Sequence, residues 1–392
     1  MAAWNVEKAF EVKRTLVLVC KDWQALAIEF LYEDIRIRHG ARGLVEALSR
    51  SARVMGSAGY GYWVRRIELP PTRRRIVNDD PTNPIRLIDI LKFCPRVEIL
   101  VKQPSLDDDD DVQFWEGIAS TGAMQTDRIT QSLTSLKRLD WVVFDPSVTF
   151  RLNPAITQTL DTRLSGIIFR SPNLEYFSLS SSSDAFQDFD RDTYPTPFPS
   201  LTTLRLERLT PWSVKLRTQD MPKLTNVIAN PVNMYCRLST ACPFMDAFGR
   251  HIRVIELADN EGPYTFSSET AQEFFRRCSN LQELSLHAGR HTFLLIKLHH
   301  PSVKCIRILR RYHQSHDLLE RQHTAIFSGV FPALERVVLH GDWGSSVDSV
   351  QFREFRHALL NKGCALEYEE GILPKRSEAF SFPQWYVVNL IP

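Results

Sequence analysis

The sequence predicts an α/β repeat fold, in which each repeat adds one parallel strand to a sheet and a helix or loop leads back to the next. Three observations predict it. An apolar phrase spaced LxxLxL recurs along most of the chain. A proline-bearing punctuation precedes many of its copies, and stretches with helical periodicity fall between them.

The copies begin with VRRIEL (Val64, Ile67, Leu69), VEIL (Val97, Leu100), LKRLDWV (Leu136, Leu139, Trp141) and LEYFSL (Leu174, Phe177, Leu179). They continue with LTTLRL (Leu201, Leu204, Leu206), LTNVIA (Leu224, Val227), IRVIEL (Ile252, Ile255, Leu257) and LQELSL (Leu281, Leu284, Leu286). VKCIRI (Val303, Ile306, Ile308) and LERVVL (Leu334, Val337, Leu339) close the series. Side chains alternate across a strand, so the last two apolar positions of each phrase should face a core and their neighbours should face outward. The spacers run from roughly 20 to 40 residues, near or above the leucine-rich-repeat period. The expectation is therefore an irregular leucine-rich-repeat solenoid over residues 41–370, with parallel strands on a concave face and helices and loops on the convex side.

The punctuation reads CPRV, SPNL, FPSL, MPKL, CSNL, HPSV and FPAL. Proline fixes its own torsion and lacks an N–H, so these sites are read as junctions where a helix stops and an extended chain starts. Helices are predicted in HGARGLVEALSRSARV (Leu44, Val45, Leu48), ending near the glycines of GSAGYGYW, and in PIRLIDILKFC (Ile85, Ile88, Leu91). Two more fall in SSETAQEFFRRC (Ala271, Phe274, Phe275), with Ser267 or Ser268 as N-cap, and in SVQFREFRHALLNKGC (Phe352, Phe355, Leu359), with Gly363 at C′. The run Asp107–Asp111 and the Ser-, Asp- and Pro-rich stretch around residues 178–200 read as solvated loops.

Composition narrows the function. With 48 basic and 46 acidic residues the net charge is +2, so no overall field draws the chain to nucleic acid or an anionic membrane. Seven scattered cysteines, an odd count without a CxxC pair, point to free thiols in a reducing compartment. The N-terminus lacks a secretory h-region, no Asn-x-Ser/Thr sequon occurs, and Leu16–Cys20 is too short to span a bilayer. A cytoplasmic or nuclear location is expected, without membrane or nucleic-acid partners. Arg73, Arg74 and Arg75 sit beside two aspartates and read as a solvated loop.

No catalytic constellation emerges. GxxxxGK[ST], GxGxxG, HExxH and GxSxG are all absent, and Asp107–Asp111 lacks the glycine and spacing of a calcium loop. His299, His300, His313, His316 and His323 read as exposed polar residues, and Cys20 as a small core residue. No enzymatic activity, metal or cofactor is expected.

The stretch VCKDWQALAIEFLYEDIRIR resembles the second half of an F-box, whose closing helices carry a Val-Cys-x-x-Trp phrase followed by a Leu-Trp or Leu-Tyr pair. Val19, Cys20, Trp23, Leu31 and Tyr32 match it. The Leu-Pro-x-Glu opening of that motif does not occur in MAAWNVEKAFEVKRT, so residues 1–40 are read as an incomplete F-box-like helical segment, followed by the repeats and a tail over 371–392. The order is that of F-box proteins with leucine-rich repeats, and WVRRIEL is similar to the strand that follows the F-box in fungal members. The resemblance implies a substrate receptor of an SCF-type ubiquitin ligase. Val19, Cys20, Trp23, Leu31 and Tyr32 would dock on a Skp-family adaptor, and through it on a cullin–RING ligase. The residues themselves leave a second reading open, in which Trp23 is buried as an anchor and the segment caps the repeat array. Outward strand positions are the candidates for holding a target protein: Arg138, Asp140, Arg205, Glu207, Glu283, His287, Arg307, Arg336 and His340.

Overall fold

In a computed structural model the described residues are 11–69 (apart from 14, 17, 38–40 and 57), 87–102, 133–141, 171–179, 198–206, 218–229, 244–257, 275–287, 300–309, 331–341, 343 and 349–369. The chain divides into two compact units, one formed by Val12–Leu224 and one carried by Thr225–Pro392.

In the first unit, helix α1 (Lys21–Glu33) leads into strand β1 (Asp34–Arg36). Helix α2 (Arg42–Met55) and a 3-10 turn (Gly59–Trp63) precede β2 (Arg66–Leu69), and α3 (Leu87–Leu91) precedes β3 (Ile99–Lys102). β4 (Arg138–Trp141), β5 (Tyr176–Leu179) and β6 (Thr203–Leu206) complete it. Each strand pairs in parallel with the next in sequence. The second unit repeats the scheme with β7 (Asn226–Ala229), β8 (Val254–Leu257), β9 (Glu283–His287), β10 (Cys305–Leu309), β11 (Arg336–His340), helix α4 (Val350–Asn361) and β12 (Ala365–Glu369). Its strands are also parallel and in sequence order. All ten LxxLxL phrases form strands. β1 and β12 were not expected, and β1 converts the end of the segment read as helical into a rung paired with β2.

The punctuation is a turn, not a direct passage from helix to strand. The first apolar residue of the phrase donates its N–H to the carbonyl three residues back: Leu174 to Ser171 at 3.1 Å, Leu201 to Phe198 at 3.3 Å, Leu224 to Met221 at 3.1 Å and Leu281 to Cys278 at 3.0 Å. Proline at the second turn position supplies the required φ in the first three, and Ser279 takes that place in the fourth. Gly61 and Gly249 open the same turn without proline, and both are packed so closely that a methyl group would collide with the carbonyls of Phe93 and Arg277.

The residue after the first apolar position has a recurring task. Its carbonyl accepts two N–H groups of the next rung: Lys137 from Glu175 (2.7 Å) and Tyr176 (3.0 Å), and Arg253 from Gln282 (2.8 Å) and Glu283 (3.0 Å). Turn side chains reach back one rung in the same way, Asn173 Nδ2 to the Thr134 carbonyl and Asn280 Nδ2 to the Arg250 carbonyl, both at 2.7 Å. These bonds satisfy backbone groups that a short strand alone leaves unpaired.

Inside, every first apolar residue of the phrases is buried, as are the fourth positions from Ile67 to Val337. Phe177 stacks on Phe198 with ring centroids 6.0 Å apart, and Phe244 lies 4.9 Å from Phe248. α2 ends at Gly56, whose φ of 71° continues no helix. α4 begins at Ser349, which accepts from the Phe352 N–H at 3.1 Å, and stops before Gly363 at φ 74°, as its sequence predicts. Phe352, Phe355 and Leu359 form its buried face. Ile85, Ala271, Phe274, the run Asp107–Asp111, the Ser/Asp/Pro-rich insert and the tail 371–392 lie outside the described residues.

Phe177→Ala is expected to cost about 3–5 kcal/mol, the range for emptying a buried aromatic site, and Ser349→Ala about 1 kcal/mol through loss of the cap. Urea unfolding of each variant measures both.

Candidate functional site

Two surfaces follow from the sequence, the face of α1 and the polar face of the strands. α1 starts at Cys20, which has extended torsions (φ −160°, ψ 173°) and accepts from the Gln24 N–H through its carbonyl at 2.9 Å. Cys20 is exposed, not a core residue, because it sits at the break between helical residues 18 and 19 and α1. The buried side of α1 carries Ala27, with Ile28, Leu31 and Tyr32 half-buried. Tyr32 packs on Tyr60 at 4.8 Å, and Tyr60 stacks on Trp63 at 5.7 Å. Ser51 fixes that turn, accepting from the Tyr60 N–H at 3.0 Å and donating to the Leu48 carbonyl at 2.9 Å.

The opposite side of α1 is apolar and open. Val19 is 60%, Trp23 49%, Leu26 75% and Phe30 58% exposed, and Leu18 is exposed beside them. The spacing i, i+3, i+7 places Trp23, Leu26 and Phe30 on one stripe of α1, while Val19 lies exposed before the break at Cys20. The anchoring contact that sequence offered to Trp23 is made by Tyr32 instead. Of the five residues matched to the F-box phrase, Val19, Cys20 and Trp23 are exposed, whereas Leu31 and Tyr32 face the fold. Leu26 and Phe30 were not singled out from sequence, although their helical spacing from Trp23 is visible there.

On the strands, positions expected to be solvated are crowded. Parallel strands lie about 4.8 Å apart, so the side chains of neighbouring rungs cover one another. Asp140, Arg205 and His340 are buried, Arg138, Glu283 and Arg307 are half-buried, and only Arg336 is exposed. Glu207 lies outside the described residues, and His287 contributes its backbone to β9. In the first unit Arg138 Nη2 binds Asp140 Oδ2 at 3.0 Å, and its guanidinium lies 4.7 Å from the centre of the Tyr176 ring. Arg205 hydrogen-bonds the Tyr176 side chain, whose hydroxyl is pushed upward by burial first and by the Asp140 charge second, against Arg205 and Arg138. Nearer the first strand, Arg36 meets Glu68 at 3.3 Å, and Arg66 meets both Glu68 at 3.3 Å and Asp34 at 3.6 Å.

The second unit builds its own network. Arg307 Nε contacts Glu283 Oε1 at 2.6 Å, and its Nη1 donates to His340 Nε2 at 3.2 Å, so that ring nitrogen is the acceptor. Arg336 reaches Glu367 at 3.8 Å. The candidate residues are thus brought together largely as partners for one another.

His300, expected to be exposed, is buried: it opens the turn of its repeat, with Nε2 3.0 Å from the Cys278 carbonyl and its ring edge-on to Phe275. His299, His313, His316 and His323 lie outside the described residues. Among the described residues no group of three His, Cys, Asp or Glu is arranged to hold a metal ion, and no helix is long and apolar enough to cross a membrane.

No protein-family model matches the chain, and no curated protein does. Among solved structures it is similar to the leucine-rich repeat-containing protein LegL7 from Legionella pneumophila, at 13% identity over 84% of this chain and 98% of that one, with a TM-score of 0.41.

The cysteines give a direct check on this geometry. Burial pushes the Cys94 thiol from its ordinary 9.0 up to about 12, and raises Cys278, Cys305 and Cys364 as well. Only thiolates alkylate readily. Of these residues and Cys20, iodoacetamide is expected to label Cys20 alone in the native protein, as peptide mapping would read. Folding holds Cys94 neutral, so its contribution is intact below pH 9 and is lost as pH rises towards 12. Cys94→Ala should lessen the alkaline fall in stability across that window.

Proposed function

We propose that the chain is a protein-binding repeat scaffold that serves as a substrate receptor of an SCF-type ubiquitin ligase. The apolar stripe of α1 docks on a Skp-family adaptor, which links it to a cullin–RING ligase, and the repeats hold the target. The observation that carries this reading is the exposed row Trp23, Leu26 and Phe30 on α1, with Val19 exposed just before it, on the segment whose sequence resembles an F-box. A row of large apolar side chains with no internal partner is the signature of a surface covered by another protein. Leu31 and Tyr32 then serve to hold α1 on the fold, and the contact falls to Leu26 and Phe30 in their place. The receptor performs no bond chemistry. It raises the local concentration of a target lysine near a ubiquitin thioester, the proximity contribution of a tethered reactant, in the cytoplasm or nucleus.

A second reading is favoured by the pairing of β1 with β2 and the Tyr32–Tyr60 contact: α1 caps the first rung of an adaptor-independent scaffold. Trp23 separates the two. On the receptor reading, Trp23→Ala and Phe30→Asp weaken capture of a purified Skp-family adaptor by more than about tenfold, a hot-spot loss, with the melting temperature unchanged. Absence of adaptor binding by the unaltered chain at micromolar concentration would leave only the cap.

A further inference from the structure

We propose that the turn and strand start at residues 249–253 form a docking site for a carboxylate-rich segment of a partner protein. The inference rests on reading the chain as a protein-binding scaffold, and it assigns a chemistry to one stretch of its surface.

The residue after the first apolar position of each phrase lies on one rim of the sheet, and its charge is normally matched one rung away. Arg65 meets Glu98 at 3.6 Å and Lys137 meets the same Glu98 at 2.9 Å in the first unit. Lys304 meets Glu335 at 2.8 Å in the second. Arg253 breaks this pattern. The backbone ladder sets it between Thr225 and Gln282, neither of which carries charge. Two and three residues earlier in the turn stand His251 and Arg250. Arg250, His251 and Arg253 are exposed, and among the described residues their side chains make no hydrogen bond or ion pair.

The next repeat adds to the same rim. Its turn stacks directly on the first, through Asn280 Nδ2 and the Arg250 carbonyl at 2.7 Å. Just before that turn come Arg276, exposed, and Arg277, which binds Asp246 Oδ1 at 2.6 Å. Asp246 is the one carboxylate among the described residues of these two turns and the helical residues before them, against four arginines. All four strong cations are arginine, whose planar fork receives a carboxylate through two hydrogen bonds and gives up less hydration than lysine does. A single exposed ion pair contributes little. Arg250 and Arg253, held on one turn by buried Gly249 and Ile252, are positioned to engage neighbouring carboxylates of an acidic segment together.

The test uses the full chain and a short fluorescent peptide of alternating glutamate and serine, with a glutamine–serine peptide as its neutral counterpart. Anisotropy is expected to show binding of the acidic peptide only, weakened about tenfold in the Arg250→Gln/Arg253→Gln double variant and reduced by added salt. Lys304→Gln, which removes a cation already matched by Glu335, should leave binding unchanged. The proposal is overturned if the chain binds neither peptide, if the double variant binds as well as the unaltered chain, or if Lys304→Gln weakens binding equally. Adaptor capture that depends on Trp23 is measured on the same variants: its survival alongside a failed peptide assay removes the rim site and leaves the receptor reading standing.

Discussion

The fold depends on one backbone arrangement, the strand-start carbonyl that takes two N–H groups from the following rung. Four- or five-residue strands cannot bury their own apolar side chains or satisfy their own hydrogen bonds. Joined through this bifurcated contact, with bonds of 2.7 to 3.1 Å at Arg65, Glu98, Lys137 and Glu175 in the first unit and at Thr225, Arg253, Gln282 and Lys304 in the second, each of these rungs fixes the register of the one after it. A slip by one residue would turn Ile67, Leu139 or Leu284 from the core to the polar face, so the apolar phrase and the register enforce each other. The proline turn supplies the remaining condition. It places the first apolar residue inward, so that in VRRIEL, VKCIRI and LERVVL all three apolar positions are buried although simple strand alternation accounts for only two.

Close spacing of the rungs has a cost on the other face. Charged side chains there stand against neighbours and lose water, and a buried charge is tolerated only with a partner and hydrogen bonds. The sheets meet that demand by placing opposite charges on adjacent or diagonal positions: Arg36 with Glu68, Arg138 with Asp140, Arg307 with Glu283. Arginine dominates because its fork reaches two partners at once, as Arg307 does with Glu283 and His340.

How much of this was legible follows from how each signal is written. The ten strands could be read because two or three apolar residues at fixed spacing, in most copies behind a turn, are a redundant mark. β1 carries just Ile35, with Ile37 directly after it, behind a helical pattern, and β12 carries a single leucine, Leu366, in ALEYE, so neither repeats the mark. The F-box resemblance marked Trp23 and Tyr32 on α1 alike, without telling which side of the helix faces the fold. Tyr32 won that competition because Tyr60, itself stacked on Trp63, offered it a ring to pack on. His300 was misread for its chemistry although its place was visible: HPSV aligns with CPRV, SPNL, FPSL, MPKL and FPAL, and Cys94, Ser171, Phe198, Met221 and Phe331 at that position are all buried. Outward strand residues were legible as a row, and Arg138–Asp140 pairs within one strand, but cross-rung pairs such as Arg307 with Glu283 depend on which rungs are neighbours, which spacing alone does not encode.

That pairing decides where recognition can come from. A partner seeking Asp140 or Arg307 must displace a bond of 3.0 or 2.6 Å that is already made in a partly dehydrated setting, and exchanging one buried ion pair for another yields little net free energy. Groups without a partner among the described residues carry no such debt. On α1 these are Trp23, Leu26 and Phe30, whose burial would release apolar surface from water at about 25 cal/mol per Å². On the rim of the second unit they are Arg250 and Arg253. Affinity in a scaffold of this kind is therefore expected to concentrate where the repeat pattern is broken, and the regular part of each sheet serves to hold those breaks in place.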